Sequence, residues 1–262
     1  MKMLILVLAA HIVCSAAPPA QTTTRLRPET IHAFEKYVAA AEKQQAHERS
    51  ERFLWSDRSA DRLTKLRKGE VVVENRNDNE VEVEGGLIHD WVGGVYIPGV
   101  TVSQVLRLVQ DYNNHDVIYR PEVLEARTLK RDGNTFDVHM RLLKKKVIKV
   151  VLDTEHRAEY FPVDEKRWHS RSYSTRISEV EDPGKPGERI LPPGDDHGFL
   201  WKLNSYWRFQ ERDGGVYVEC QAISLTRDIP SGLGWLIEPI TRNLPKESLH
   251  HTLASTRNAL TK

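Results

Sequence analysis

Three side chains of this sequence could carry out acid–base or anion-binding chemistry at a buried site, and they are His156, Tyr160 and Arg176. A histidine and a tyrosine can exchange protons with a substrate, and an arginine can hold a carboxylate or a phosphate. None of them belongs to a recognised catalytic pattern, because the sequence has no GxSxG, HExxH, P-loop, CxxC or EF-hand arrangement. The sequence therefore predicts no residue with a defined catalytic role and no cofactor.

Each of these polar side chains also has a structural interpretation. A buried His156 needs a hydrogen-bond partner, because leaving it unpaired would cost about 1 to 3 kcal/mol. Arg176 is expected to form a salt bridge with Glu219 or Glu179 across a sheet, and the alternative is an anchor for a ligand's carboxylate or phosphate. Cys220 lies in a period-two strand pattern and is predicted to be a small buried side chain, not a nucleophile.

Metal binding is not predicted. Asp195, Asp196 and His197 are consecutive in a loop rich in proline and glycine, without a fourth ligand at a suitable spacing. We interpret this loop as solvated. His250 and His251 are adjacent on a predicted helix, so their side chains point in different directions.

The overall charge argues against one class of partner. Lys and Arg number 38 against 37 Asp and Glu, which gives a net charge of +1. A protein that binds the phosphates of a nucleic acid normally carries a basic excess. With 39% hydrophobic and 29% charged residues, the chain is typical of a folded globular protein, and nucleic acid is not an expected partner.

Residues 1–17 have the pattern of a secretory signal peptide, with Lys2, an apolar run over residues 4–13, and small residues at the end. Cleavage is predicted near Ala16 or Ala17, and an uncleaved anchor is the alternative. A membrane-spanning helix needs about 20 apolar residues, and this run is shorter. The sequence thus predicts a secreted or periplasmic protein with no stable membrane span after cleavage.

Three regions follow the predicted signal peptide. Residues 18–27 are predicted to be a flexible lead, and residues 28–84 an N-terminal helical and hairpin extension. Residues 53–55 (Phe, Leu and Trp) are expected to anchor this extension on the main body. The core domain is predicted to cover residues 85–262.

The pattern within the core domain is a strand, a short helix, several antiparallel strands and a long terminal helix. Leu152, His156 and Tyr160 alternate so that they share one enclosed strand face, and Met140 has the same parity on the preceding strand.

Glycines and prolines add two expectations to this pattern. Gly93 and Gly94 predict either a bulge or the close approach of another backbone. Pro239 and Pro245 predict that the terminal helix is broken into two segments.

Three stretches of the core domain carry a resemblance to a known superfamily: LNSYWRF (203–209), VYVECQAISLTRDIP (216–230) and GWLIEP (234–239). They resemble exported members of the START-like, polyketide-cyclase-like (SRPBCC) superfamily, over about two thirds of the chain. The resemblance implies an α+β helix-grip fold, in which a curved antiparallel sheet wraps around a long C-terminal helix. The superfamily includes lipid carriers, hormone and plant-allergen binders, quinone-binding proteins and cyclases.

A sheet curved around a helix leaves a cavity suited to a hydrophobic ligand with a few polar contacts. The candidate cavity residues are Met140, Leu152, His156, Tyr160, Arg176, Trp207, Trp235 and Ile240. We expect an exported binding or carrier protein for a hydrophobic small molecule such as a lipid, a quinone, or a sterol-like or polyketide-like compound. The first alternative is a cyclase or hydrolase that uses His156, Tyr160 or Arg176. The second is an interaction module with a filled cavity, which docks through residues 28–68. Transient contact with a membrane surface is left open.

Overall fold

The computed structural model describes residues 24–145, 149–228 and 234–261, and it describes the side chains of this set outside 234–242. The predicted signal peptide (1–17) and residues 18–23 of the predicted lead lie outside the described residues. The described helices are α1 (Pro28–Glu51), α2 (Ala60–Arg67), α3 (Val102–Val109), α4 (His115–Ile118) and α5 (Gly234–Leu260). The described strands are β1 (Thr24–Arg25), β2 (Val72–Asn75), β3 (Val81–Val83), β4 (Gly86–Pro98), β5 (Val123–Asp132), β6 (Thr135–Lys145), β7 (Lys149–Pro162), β8 (Arg167–Glu181), β9 (Arg189–Ile190), β10 (Asp195–Asp196), β11 (Lys202–Arg212) and β12 (Gly215–Arg227).

The main sheet has the strand order β2-β4-β12-β11-β8-β7-β6-β5, and all of these neighbours are antiparallel. The first core strand, β4, pairs with the last, β12, while the strands between them follow one another in sequence. A short helical pair, α3 and α4, connects β4 to β5, and the long helix α5 follows β12. This order is that of the helix-grip arrangement, so the predicted α+β fold class is confirmed.

The face of the sheet toward α5, called the inner face, carries the main core. Leu249 and Leu253 of α5 pack with Val95 of β4 and Val218 of β12, and all four are buried. The strand register runs through Gly93 and Gly94 without a bulge. A Cβ on Gly93 would lie 2.9 Å from Leu253 Cδ1 and 2.7 Å from the Val72 carbonyl oxygen. The close approach predicted for these glycines is therefore the correct alternative.

The terminal helix α5 is continuous over Gly234–Leu260, so the predicted break into two segments is wrong. Each proline removes one backbone hydrogen bond from a helix. Leu249 and Leu253 are 5% and 0% exposed against the sheet, and this packing stabilises the helical path beyond what local propensity indicates.

The N-terminal extension covers the opposite side of the sheet, called the outer face. Phe34 of α1 packs on Ile223 and Leu225 of β12, and Tyr217 of the same strand packs with Leu54 and Leu66. The predicted anchor at 53–55 is confirmed, since its three side chains are 8%, 0% and 3% exposed. Strand β12 is consequently buried on both faces.

The end of the predicted flexible lead has a defined position. Thr24 pairs with Asp196 in the β1–β10 ladder, and the Leu26 amide donates to the Gly194 carbonyl at 2.7 Å. The prediction of a solvated loop at Asp196 is wrong, because this carboxylate is 0% exposed and accepts from Gly198 N and Trp201 Nε1. Burial raises the pKa of Asp196 to about 6.

Candidate ligand-binding site

Small side chains form one row across the middle of the inner face. Strand register sets them side by side on four successive strands, β7, β8, β11 and β12. The small-residue row is Ala158, Ser172, Ser205 and Ala222. Three of its members, Ser172, Ser205 and Ala222, are only half-buried, although they lie on the face that the terminal helix covers elsewhere. Small side chains at the centre of a curved face leave space that large ones would fill.

Large apolar side chains border this row. Trp91 of β4 lies opposite Ala222, and Trp207 of β11 stacks on Phe209 with ring centroids 6.0 Å apart. Trp91 and Trp207 are half-buried, as are Met140 and Leu203 on the same face. The row therefore has apolar walls with accessible aromatic surface.

A second row on the inner face supplies polar groups. His156, Ser174, Ser224 and His89 occupy neighbouring register positions around Leu203. Ser174 Oγ accepts from the Leu203 amide at 3.0 Å. His89 Nε2 contacts Thr226 Oγ1 at 3.0 Å, and burial lowers the pKa of His89 to about 4.

The hydrogen bonds of His156 define its tautomer. Thr154 Oγ1 donates to the Met140 carbonyl at 2.9 Å, so its lone pair accepts from His156 Nε2–H at 3.1 Å. The Nδ1 atom is then the acceptor of the ring. Burial lowers the pKa of His156 to about 4, so the ring is neutral near pH 7. The core interpretation of His156 is supported, and the ring keeps one acceptor beside the small-residue row.

Two of the predicted cavity residues are core residues in the structure. Tyr160 is 6% exposed; its hydroxyl donates to the Val109 carbonyl at 3.3 Å and accepts from Tyr112 at 2.9 Å. Leu152 is 1% exposed and packs with Tyr119 and Ile177. Both point toward the inner face, as parity predicts, but neighbouring side chains enclose them.

Arg176 lies on the outer face, so its assignment to the cavity is corrected. Its guanidinium pairs with Asp153 and, at 3.0 Å, with Glu155. A register shift next to His156 inserts one extra residue in β8, which turns Arg176 away from the inner face. Its predicted partners are engaged elsewhere, since Glu219 accepts from the amides of Trp55 and Ser56, and Glu179 from those of His197 and Phe199.

The register places Trp207 and His156 on opposite sides of the small-residue row, while Met140 lies on the same face beyond His156, opposite Thr154. The side chains of Trp235 and Ile240 lie outside the described residues. Sequence reasoning missed Trp91, Leu203 and the three half-buried members of the row. The alternation within β4, β8, β11 and β12 indicates which face each of these residues lies on, but only the register between the strands shows that they are neighbours.

Two concavities on the described surface are polar and lie apart from this row. One of about 520 Å³ is lined by Asn79, Glu80, Glu82, Val83, Gly86, Leu87 and Asp228, and one of about 260 Å³ by Asn113, Asp116, Glu125, Ala126 and Arg127. Among residues 24–145, 149–228 and 234–261, no group of three or more His, Cys, Asp or Glu side chains is arranged to hold a metal ion. None of the described helices combines the length and apolarity needed to cross a membrane.

Comparison with known proteins finds similarity at the level of structure. No family model and no curated protein matches the sequence. The chain is similar to a fragment of the STAR-related lipid transfer protein from Xanthomonas axonopodis, with 18% identity, 72% of this chain and 99% of that chain covered, and a TM-score of 0.45. It is also similar to a protein from Thermus thermophilus (17% identity, 65% and 98% covered, TM-score 0.47) and to the Zhui aromatase/cyclase from Streptomyces sp. R1128 (10% identity, 66% and 91% covered, TM-score 0.41). START-like and aromatase/cyclase structures are thus among those the chain is similar to, and the fold assignment itself follows from the strand order described above.

Proposed function

We propose that this protein binds a hydrophobic small molecule between the small-residue row and the C-terminal helix. The observation that carries the proposal is the half-buried state of Ser172, Ser205 and Ala222. These side chains lie on the inner face beside a core in which Val95, Phe209 and Val218 are each 0% exposed. A packed interior normally leaves few voids, so accessible surface at this position favours a ligand space.

The borders of the row support a particular ligand chemistry. Trp91 and Trp207 suit an apolar or aromatic body, because flat rings bury a large area at little entropic cost. His156, neutral and with Nδ1 as its acceptor, suits a ligand hydroxyl or N–H group. A lipid, a quinol, or a sterol-like or polyketide-like compound carries both features.

The enzyme alternative has less support. Tyr160 is four residues from His156 on the same strand, about 13 Å away at the usual rise per residue, and its hydroxyl is engaged by Tyr112 and Val109. Arg176 lies on the outer face. The three residues named for a cyclase or hydrolase therefore do not converge on one reacting atom. Turnover of a polyketide-like substrate, lost in His156→Ala, would be needed to favour that function.

Export and membrane contact are further parts of the proposal. Both follow from the N-terminal pattern and the expected ligand class. Mass determination of the protein recovered from the envelope fraction would test cleavage near Ala16 or Ala17. Flotation with neutral and anionic vesicles would test transient membrane contact.

The ligand-space proposal is tested by filling the row. In Ser172→Leu and Ser205→Leu, the added side chains occupy the space, so we expect binding of the fluorescent apolar probe 1-anilinonaphthalene-8-sulfonate to weaken by about tenfold or more. Thr175→Leu is the matched control, since Thr175 is exposed on the same strand as Ser172.

A parallel measurement identifies the natural ligand by organic extraction and mass spectrometry of the purified protein. Probe affinity equal in the row variants and the control, with folding intact by circular dichroism, would contradict a ligand space at the row. The absence of any extracted compound, together with no thermal shift across lipids and quinones, would argue against a carrier.

A further inference from the structure

Four basic side chains meet on the outer face, where the N-terminal extension crosses the sheet. This basic cluster consists of Arg49 on α1, His169 and Arg171 on β8, and Arg208 on β11. It lies on the opposite side of the sheet from the small-residue row. The proposed ligand-binding function does not involve it.

The strand register and ring contacts bring the sheet members of the cluster together. His169 is directly opposite Arg208 on one side and Phe161 on the other. The imidazole stacks on the Phe161 ring with centroids 5.0 Å apart, and Arg171 Cζ lies 5.7 Å from the centroid of the same ring. Directly opposite side chains in antiparallel strands have Cβ atoms about 5 Å apart. One small anion could therefore contact more than one of these groups.

Helix α1 adds Arg49 from above the sheet. Glu48 Oε2 is 3.9 Å from Arg208 Nη2, and Glu42 Oε1 accepts from the Tyr206 hydroxyl at 2.9 Å. These two contacts position the C-terminal half of α1 over β11, and the charge of Arg49 acts on both His169 and Arg208. The extension thus contributes a cation to the surface that the core strands form.

The acidic groups nearby already accept hydrogen bonds, Glu48 from a donor outside the cluster and Glu159 from Arg171 within it. Glu48 accepts from Arg76 Nη2 at 2.8 Å, and Glu159 accepts from Arg171 Nε at 2.6 Å. Glu42, which acts electrostatically on Arg49, is exposed and already accepts from Tyr206. Among the described residues, Arg49 is half-buried and makes neither a hydrogen bond nor an ion pair.

The pKa values of three cluster residues are shifted as expected for basic groups that lie close together and partly buried. Burial lowers the pKa of both Arg49 and Arg208. Burial also lowers the pKa of His169 to about 4, and the positive charges of the three arginines act in the same direction. His169 makes no hydrogen bond within the part of the chain that the structure describes. A half-buried cation without a hydrogen-bonded partner among the described residues, as Arg49 is, is stabilised when an anion binds.

We propose that the basic cluster of Arg49, His169, Arg171 and Arg208 binds a phosphate-type oxyanion at the junction of the extension and the sheet. Guanidinium groups recognise such anions through paired N–H donors. A tetrahedral oxyanion has enough oxygens to accept from donors on α1 and on β8 at once, whereas a planar carboxylate has two. The phosphate could belong to a soluble compound or to a lipid headgroup, and the recognising chemistry is the same for both.

The test is calorimetric titration of the full folded chain with inorganic phosphate at constant ionic strength. We expect saturable binding that weakens by about tenfold or more in Arg49→Gln, since one charge-assisted contact is lost. Arg49→Lys keeps the charge and should retain more affinity than Arg49→Gln. The matched control is Lys43→Gln, which removes the same charge from an exposed position of the same helix and should leave the affinity unchanged. Should Arg49→Gln fail to fold, His169→Gln provides the comparison.

A second arm separates the two sources of phosphate. Vesicles of phosphatidylcholine with and without phosphatidic acid are mixed with the protein and sedimented. Co-sedimentation that requires phosphatidic acid and Arg49 supports a headgroup, and phosphate binding without it supports a soluble compound. No saturable phosphate binding, or equal affinities in Arg49→Gln and Lys43→Gln, would overturn the proposal.

Discussion

The two faces of the same sheet are closed in different ways. On the outer face, the buried polar groups of β12 have specific partners from the extension: Glu219 accepts from two backbone amides of 55–56, and Gln221 contacts Gln45 and Asp90. On the inner face, the packing is tight around Leu253 but leaves Ser172 and Ser205 half-buried. A strand with its buried polar groups matched favours stability, and a face with small, accessible side chains is suited to binding. The extension seals one side of the sheet, and the proposed ligand space lies on the other.

The largest loss of stability is expected for a substitution at Glu219, which holds the extension on the outer face. Glu219→Ala removes the acceptor of the Trp55 and Ser56 amides, which lie 2.7 and 2.9 Å from its carboxylate. Two buried donors would lose their partner, so we expect the free energy of unfolding to fall by about 3 kcal/mol. Urea denaturation measures this change. In the control Glu125→Ala, which alters an exposed strand position, we expect less than about 0.5 kcal/mol. Equal losses in the two variants would contradict the sealing role of Glu219.

The tightly packed end of the inner face should also tolerate no added volume. Gly93→Ala sets a methyl group 2.7 Å from the Val72 carbonyl oxygen and 2.9 Å from Leu253. Backbone atoms at this distance cannot yield easily, so we expect destabilisation by about 2 to 3 kcal/mol. Gly187→Ala is the control, because no atom lies within 4 Å of its added Cβ. If thermal unfolding gave the same midpoint for both variants, α5 would not be packed as closely on β4 as described.

Buried histidines make the inner face sensitive to acid. Burial lowers the pKa of His156 and of His115 to about 4 in the folded protein, and an unfolded histidine titrates near 6.5. Between these values the unfolded chain binds more protons, so the free energy of unfolding falls as the pH falls from about 6.5 toward 4.

Replacement of His156 measures how much this histidine contributes to the loss of stability at low pH. In His156→Gln we expect the loss of stability between pH 7 and pH 4.5 to be smaller than in the wild type by about 2 kcal/mol. Asp196, whose pKa is raised to about 6, acts in the opposite sense, but it is present in both proteins and cancels in the comparison. Parallel pH profiles from urea denaturation would mean that His156 is not buried in its neutral form.

The smallest change in the free energy of unfolding is expected for a substitution in the small-residue row. Ser205 is half-buried and makes no hydrogen bond through its side chain among the described residues, so Ser205→Ala should change the free energy of unfolding by less than about 0.5 kcal/mol. A loss of 2 kcal/mol or more in urea denaturation would show that the row is part of the packed core.

The sequence predicts which side chains of a single strand share a face, but it does not predict the register in which the strands pair. Leu152, His156 and Tyr160 face inward as predicted, because a period of two is a local property of the chain. Arg176 was assigned to the wrong face because the extra residue in β8 has no local signal in the sequence. Trp91 borders the small-residue row that contains Ser205 only because β4, β12 and β11 pair in this register, and this pairing is non-local.

The fold class was easier to predict than the site for a similar reason. The order of strands and helices limits the topology, and the pairing of β4 with β12 follows from it. The continuous path of α5 through Pro245 depends on packing against the sheet, which outweighs the local preference of proline. The basic cluster around Arg49 and His169 requires α1 to cross particular strands, and no spacing within the sequence contains that information.

Tryptophans on the two faces of the sheet can show directly whether a ligand space lies on the inner face. Trp91 and Trp207 lie on the inner face, and Trp55 and Trp201 lie under or within the extension on the outer face. The indole N–H signals of these residues can be followed by nuclear magnetic resonance during titration with 1-anilinonaphthalene-8-sulfonate. We expect the signals of Trp91 and Trp207 to shift and those of Trp55 and Trp201 to stay in place. Shifts confined to Trp55 and Trp201 would contradict a ligand space on the inner face.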